Sequence, residues 1–120
     1  MSNALRTVLI VDDDPQILRL VESILKHREV KILVAPKPSD ALRICEREPV
    51  HALISDVDMP EMLGNKLAER VLKMRPEVAV LLISGVYPEA PRVGTAGQVR
   101  FLKKPFFPAD LVTVLREMLG

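Results

Sequence analysis

The sequence predicts an α/β fold: a doubly wound, five-stranded parallel sheet with helices on both faces. Short apolar runs alternate with amphipathic segments along the whole chain, the pattern of strand–helix units joined by right-handed crossovers. The runs are apolar throughout rather than at every second residue, as in parallel strands buried on both faces. They also end abruptly in acidic, hydroxyl or basic residues, so the carboxyl ends of the strands should share one polar rim. Open sheets of this kind bind their ligands there.

The first strand is read over Thr7 to Val11, stopping at Asp12-Asp13-Asp14. Asp14 is then a helix N-cap and Pro15 the first helical residue. Ile17, Leu18, Val21, Ile24 and Leu25 follow at three- and four-residue spacing and give that helix one apolar face. Val30 to Ala35 is the second strand. Pro38-Ser39 opens the second helix, with Ala41, Leu42 and Cys45 on one side. The third strand, Ala52 to Ser55, ends in acid at Asp56. Gly64 to Met74 is the third helix, turning Leu67, Val71 and Leu72 inward. The fourth strand, Val78 to Ile83, ends at Ser84-Gly85, and the fifth, Val99 to Leu102, ends at Lys103-Lys104. Pro108 to Leu119 is the final helix, with Leu111, Leu115 and Met118 inward. Between the last two strands, Tyr87 to Gln98 contains Pro88, Pro91, Gly94 and Gly97. These residues suit a helix interior poorly, so a fourth helix there should be short, distorted or missing.

The 120 residues suffice for one domain with one core. Residues 1–5 read as a polar leader or expression remnant, and residues 6–120 as the domain. Formal net charge is +1, from 17 basic and 16 acidic side chains, which leaves no basic surplus for a nucleic-acid backbone. Trp is absent, which disfavours a base-stacking platform. Cys45 is the single cysteine and forms no disulfide framework, as fits a reducing compartment. No apolar run approaches the ~20 residues of a membrane span, and a cytoplasmic location is expected.

At the rim, Asp12, Asp13 and Asp56 should lie close together. Crowded carboxylates either push a pKa up or recruit a cation. Their oxygen donors, with waters and a backbone carbonyl, are what Mg2+ prefers. Asp14 is the exception, since Pro15 makes it a cap. Asp56 is the candidate nucleophile, a carboxylate able to form an acyl phosphate. Lys104 is the candidate fixed cation for the transferring group, while its neighbour Lys103 should point the opposite way. Ser84 could donate its hydroxyl to a phosphoryl oxygen, although a lone serine after a strand is more often turn chemistry. A cis Lys104-Pro105 peptide is compatible with the sequence.

Four blocks then carry a resemblance: Val11-Asp12-Asp13, Ile54-Ser55-Asp56-Val57-Asp58-Met59-Pro60, Ile83-Ser84-Gly85 and Phe101-Leu102-Lys103-Lys104-Pro105-Phe106. In order and spacing they resemble the signature blocks of response-regulator receiver domains of two-component signalling, from Arg6 onward. The resemblance implies a flavodoxin-like strand order 2-1-3-4-5. It implies that Asp56 accepts a phosphoryl group from a phosphohistidine of a sensor histidine kinase, hybrid kinase or phosphotransfer protein. Asp13 would ligate Mg2+ directly, Asp12 mainly through water, and Asp58 through its backbone carbonyl, with its side chain tuning the phosphoryl lifetime. Ser84 would be the switch hydroxyl, Lys104 the family lysine, and Phe101 the aromatic whose rotamer follows the switch. Such a chain catalyses only its own phosphorylation and slow dephosphorylation, and passes its signal to another protein.

Three departures stand out. Leu63-Gly64-Asn65 replaces the commoner Asp-Gly after Met-Pro. Phe107 stands where a good N-cap is usual, which leaves either a local packing residue or a partner-binding aromatic beside Phe106. The Tyr87 to Gln98 stretch resembles receivers of hybrid sensor kinases or free-standing single-domain response regulators. Two other readings compete. A haloacid-dehalogenase-type phosphatase shares Asp-x-Asp with Asp56-Val57-Asp58, but places it on the first strand and needs a substrate cap. A degenerate receiver would bind a partner without phosphorylation, against which the complete set Asp12, Asp13, Asp56, Ser84 and Lys104 argues.

Overall fold

Six residues, Arg6–Val11, form β1, and all but the first are buried. In the computed structural model, which describes residues 5–26, 28–87, 93 and 99–120, the chain continues through α1 (Pro15–Leu25), β2 (Val30–Ala35), α2 (Pro38–Arg47), β3 (Ala52–Asp56), α3 (Gly64–Met74), β4 (Ala79–Ser84), β5 (Val99–Lys103) and α4 (Pro108–Leu119). The five strands form one sheet in the order β2-β1-β3-β4-β5, every neighbouring pair parallel. The predicted doubly wound architecture is the observed one.

The pleat divides each central strand between two cores. Leu9 and Val11 of β1, Leu53 of β3, and Val80 and Leu82 of β4 pack with Ala41 and Cys45 of α2 and Leu67, Ala68 and Val71 of α3. Val8 and Ile10, Ala52 and Ile54, and Leu81 and Ile83 face the other way, onto Val21 and Leu25 of α1 and Leu111 and Leu115 of α4. Each fully buried Leu or Ile contributes about 1.5–3 kcal/mol relative to exposure. This explains why β1, β3 and β4 are uniformly apolar, whereas the edge strands β2 and β5 are only partly buried.

The helix starts differ in how their first N–H groups are satisfied. Asp14 Oδ1 accepts from Gln16 N at 2.9 Å, a cap within the local sequence. α2 has Lys37 at its N-cap, with no side-chain hydrogen bond there. Instead Glu61 Oε1, from the loop between β3 and α3, accepts from Ser39 N at 2.8 Å. At α4, Phe107 provides no cap, and Asp110 Oδ2 reaches back to accept from Phe107 N at 3.2 Å. Of the Tyr87 to Gln98 stretch only Tyr87 and Val93 fall within the described residues, so the expected short or distorted helix lies outside them.

Candidate functional site

Register places the acids. β1 and β3 are adjacent and parallel, with Val11 opposite Ser55, so the next residues, Asp12 and Asp56, leave the sheet side by side. Asp12, Asp13 and Asp56 each offer a carboxylate oxygen, and these atoms lie within 4.8 Å of one another. Asp12 and Asp56 are buried, while Asp13 is exposed. On the other side of β4, Ser84 pairs with Lys103, which puts Lys104 one step beyond the sheet. Lys104 Nζ stands 3.1 Å from Asp56 Oδ1 and 3.7 Å from Asp12 Oδ2. Its backbone N–H donates to Ser84 O at 2.8 Å, its stem passes over Gly85, and the peptide that follows it is cis. Lys103 is exposed, as its opposite strand orientation requires.

Burial sets the electrostatics of this corner. Asp12 has its pKa pushed up to about 6, chiefly by desolvation, against the opposing effect of the Asp14 N–H that it accepts at 2.9 Å. The charge of Asp56 adds to the rise. The Asp56 carboxyl is also raised by burial, and the Lys104 hydrogen bond works against that. Among the described residues these three carboxylates share one nearby ammonium, that of Lys104, and the imbalance favours an additional cation.

The sequence-predicted residues do not all meet. Asp12, Asp13, Asp56 and Lys104 come together. Ser84 is fully buried, and its hydroxyl is engaged with the backbone N–H groups of Val86 and Tyr87 and with Asp58 rather than with Asp56. Phe101 is half-buried and packs, like Tyr87 and Val99, against the core on the α2–α3 side.

Three contributors escaped sequence reasoning. Gly64 reads in the sequence only as a helix start and a departure from the family pattern, yet a Cβ there would sit 2.1 Å from the carbonyl oxygen of Asp56. Its N–H donates to Val57 O at 2.8 Å, so the helix start is folded down onto the end of β3 at Asp56. Ser55 Oγ donates to the same Asp56 carbonyl at 2.9 Å. Glu61 ties the intervening loop to α2. Of these, Gly64 alone had a visible signal, a glycine at the first position of a helix.

The sequence pattern of the family described as "Response regulator receiver domain" matches residues 8–116. The chain belongs to the response regulator receiver family. It is 34% identical over 107 residues to the transcriptional regulatory protein GlrR of Escherichia coli, covering 88% of this chain and 24% of that one. It is 32% identical over 114 residues to an uncharacterized 14.6 kDa protein of Leptolyngbya boryana, covering 92% and 87% respectively. The chain thus spans about a quarter of the length of GlrR (24%) and most of the Leptolyngbya protein (87%). Among solved structures, the chemotaxis protein CheY4 of Vibrio cholerae superposes with a TM-score of 0.86 at 29% identity, covering 97% of this chain and 100% of that one.

The receiver assignment carries the flavodoxin-like strand order with it, and the observed order agrees. This is a signalling family rather than one of metabolic enzymes. Receiver domains bind Mg2+ at an aspartate cluster, and Asp12, Asp13 and Asp56 form such a cluster here. The donor set fits the ion: all oxygen, two groups buried, and an Asp12 carboxyl whose pKa is raised by burial and by its acidic neighbours. Among the described residues, no helix is long and apolar enough to cross a membrane.

Proposed function

We propose that this receiver accepts a phosphoryl group on Asp56 from a phosphohistidine of a sensor histidine kinase, a hybrid kinase or a phosphotransfer protein. The observation that supports it most is the 3.1 Å contact between Lys104 Nζ and Asp56 Oδ1, beside the Asp12–Asp13 pair. A carboxylate oxygen of Asp56 attacks phosphorus, the bond from phosphorus to the imidazole nitrogen breaks, and the imidazole keeps that electron pair. Lys104 stays in place and turns its ammonium toward the incoming phosphoryl oxygens, a fixed charge that needs no reorganisation during transfer.

Asp13 and Asp56 would hold Mg2+ directly, Asp12 mainly through water, and Asp58 through its backbone carbonyl. When bound, the ion neutralises charge on the transferring group. Ser55 and Gly64 hold the Asp56 backbone so that its side chain alone can move. Ser84 and Phe101 then carry the change to the face formed by β4 and β5, as a shift between two packings.

A groove beside Lys104 supports docking of the donor there. A groove of about 390 Å³, lined by Ile17, Leu20, Pro105 and Phe106, opens beside Lys104. Phe107 next to it is 76% exposed. These side chains suit the phosphodonor protein, since the groove adjoins the cation that must meet its phosphoryl group.

In this proposal the domain occupies residues 6–120, acts in the cytoplasm, binds no nucleic acid itself and signals through another protein. Incubation with Mg2+ and acetyl phosphate, followed by intact mass, tests it. The protein should gain one phosphoryl group, and Asp56→Asn should gain none. Unchanged mass would favour a receiver that works without phosphorylation, and repeated turnover of a phosphomonoester would favour a hydrolase.

A further inference from the structure

The Ser84 oxygen is fully occupied as an acceptor. Its Oγ accepts from Val86 N at 3.0 Å and from Tyr87 N at 3.1 Å, which takes both lone pairs. Its one proton is directed at Asp58 Oδ2 at 3.5 Å, a weak contact longer than the roughly 2.5–3.0 Å of a well-formed O–H···O bond. Ser84 itself is fully buried, so an unpartnered proton there would be costly, and Asp58 is the acceptor the structure provides.

We propose that the Asp58 carboxylate is a latch: it holds the Ser84 hydroxyl away from Asp56 and competes with a phosphoryl group on Asp56 for the same proton. The inference rests on Asp56 being the acceptor and Ser84 the switch hydroxyl, and it adds the group that keeps the switch off. Three features make the contact releasable. It is long, Asp58 is exposed, and the carboxylate is near enough to Asp56 for its charge to be felt there. A phosphoryl group on Asp56 adds negative charge and three strong acceptor oxygens. The same event therefore offers Ser84 a better acceptor and repels the existing one.

Release also has a direction. The two N–H groups that Ser84 lets go belong to Val86 and Tyr87, at the start of the segment leading from β4 toward β5. Val86 is 74% exposed, so the change surfaces at once. Asp58 acts through Ser84 and is a positioning residue rather than a catalytic one.

A double-mutant cycle tests the latch. Beryllofluoride binding in Mg2+ is measured on the 120-residue chain, following the amide resonances of Val86 and Tyr87. The set is the unaltered protein, Asp58→Ala, Ser84→Ala and the double variant. Asp58→Ala should tighten beryllofluoride by about fivefold, the scale of one modest hydrogen bond. It should also move both resonances toward their bound positions before any beryllofluoride is added. In the Ser84→Ala background the tightening should shrink to the part that charge removal alone gives, and Asp58→Asn, which loses the charge but keeps an acceptor oxygen, should leave both resonances near their original positions.

Equal tightening with and without Ser84 would overturn the latch, because removing a negative charge beside an anion does that unaided. Unmoved resonances in Asp58→Ala would overturn it too. Failure of the unaltered protein to bind beryllofluoride or take a phosphoryl group would instead overturn the acceptor reading beneath it.

Discussion

The two halves of the rim are in different states of readiness. On the β1–β3 side, Asp12, Asp13, Asp56 and Lys104 already face one another, with Lys104 Nζ in contact with the residue it would serve. On the β4 side, the Ser84 hydroxyl is committed to Val86, Tyr87 and Asp58. The difference teaches where the free energy of the signal goes. If Asp56 is the acceptor and Ser84 the switch, as proposed, acceptor chemistry would cost little rearrangement, whereas the readout would require the Ser84 contacts to be exchanged. Such a pocket and such a switch would together make a module that responds to phosphorylation rather than to thermal fluctuation.

Substitutions in the acceptor half should therefore strike reactivity, and the largest effect belongs to Asp56. Asp56→Asn should eliminate phosphoryl gain from acetyl phosphate, read by intact mass, while the fold is retained. Lys104→Ala comes next. Losing a preorganised charge aimed at the transferring group should slow phosphorylation by about 10²-fold, measured as the rate of mass gain at fixed acetyl phosphate. If Lys104→Ala reacted at the unaltered rate, the acceptor half could not be called preorganised through that contact.

Gly64 tests the floor of the acceptor half rather than its chemistry. An alanine Cβ 2.1 Å from the Asp56 carbonyl forces the loop or the strand end to shift. Gly64→Ala should lower stability by ~1–3 kcal/mol, the range of overpacked sites, as read by urea denaturation. It should also slow phosphorylation, since the displaced backbone is that of the acceptor. A stable Gly64→Ala with unchanged reactivity would show that the close approach is slack.

The charge imbalance supplies a smaller effect. Mg2+ at ten times its Kd should stabilise the protein by about 1.4 kcal/mol through linkage, seen as a rise in thermal midpoint. Asp13→Asn, at the exposed member of the cluster, should remove most of that rise.

What the sequence revealed and concealed follows the same division. The acids, Lys104 and the final helix were legible because parallel neighbouring strands in register deliver consecutive strand ends to one rim. The uniform apolarity of β1, β3 and β4 named the core for the same reason. Ser84 was legible as a residue but not in its contacts. A hydroxyl's partner depends on the path of the loop beyond it, and two of its three partners are backbone N–H groups with no sequence signature. Gly64 needed the approach of two backbones to become meaningful. Glu61 was invisible because its partner, Ser39, lies 22 residues away and a helix cap is normally sought next to the helix.

Glu61 also provides the mildest perturbation of the comparison between the halves. Its carboxylate fastens the loop carrying Asp58 and Met59 to the start of α2, where Lys37 leaves the first N–H groups without a local acceptor. Glu61→Ala should cost about 1 kcal/mol, as the loss of a helix cap does, measured by urea denaturation. Its functional effect should fall on the switch half, because the freed loop bears the carboxylate that faces Ser84, while the contact of Asp56 with Lys104 depends on β3 and β5. Phosphorylation rates would then stay within about twofold, a shift of under ~0.5 kcal/mol in the barrier, as the amide resonances of Val86 and Tyr87 broaden or move. The reverse result, slowed phosphorylation with those resonances unmoved, would mean that the loop supports the acceptor and that the two halves are mechanically one.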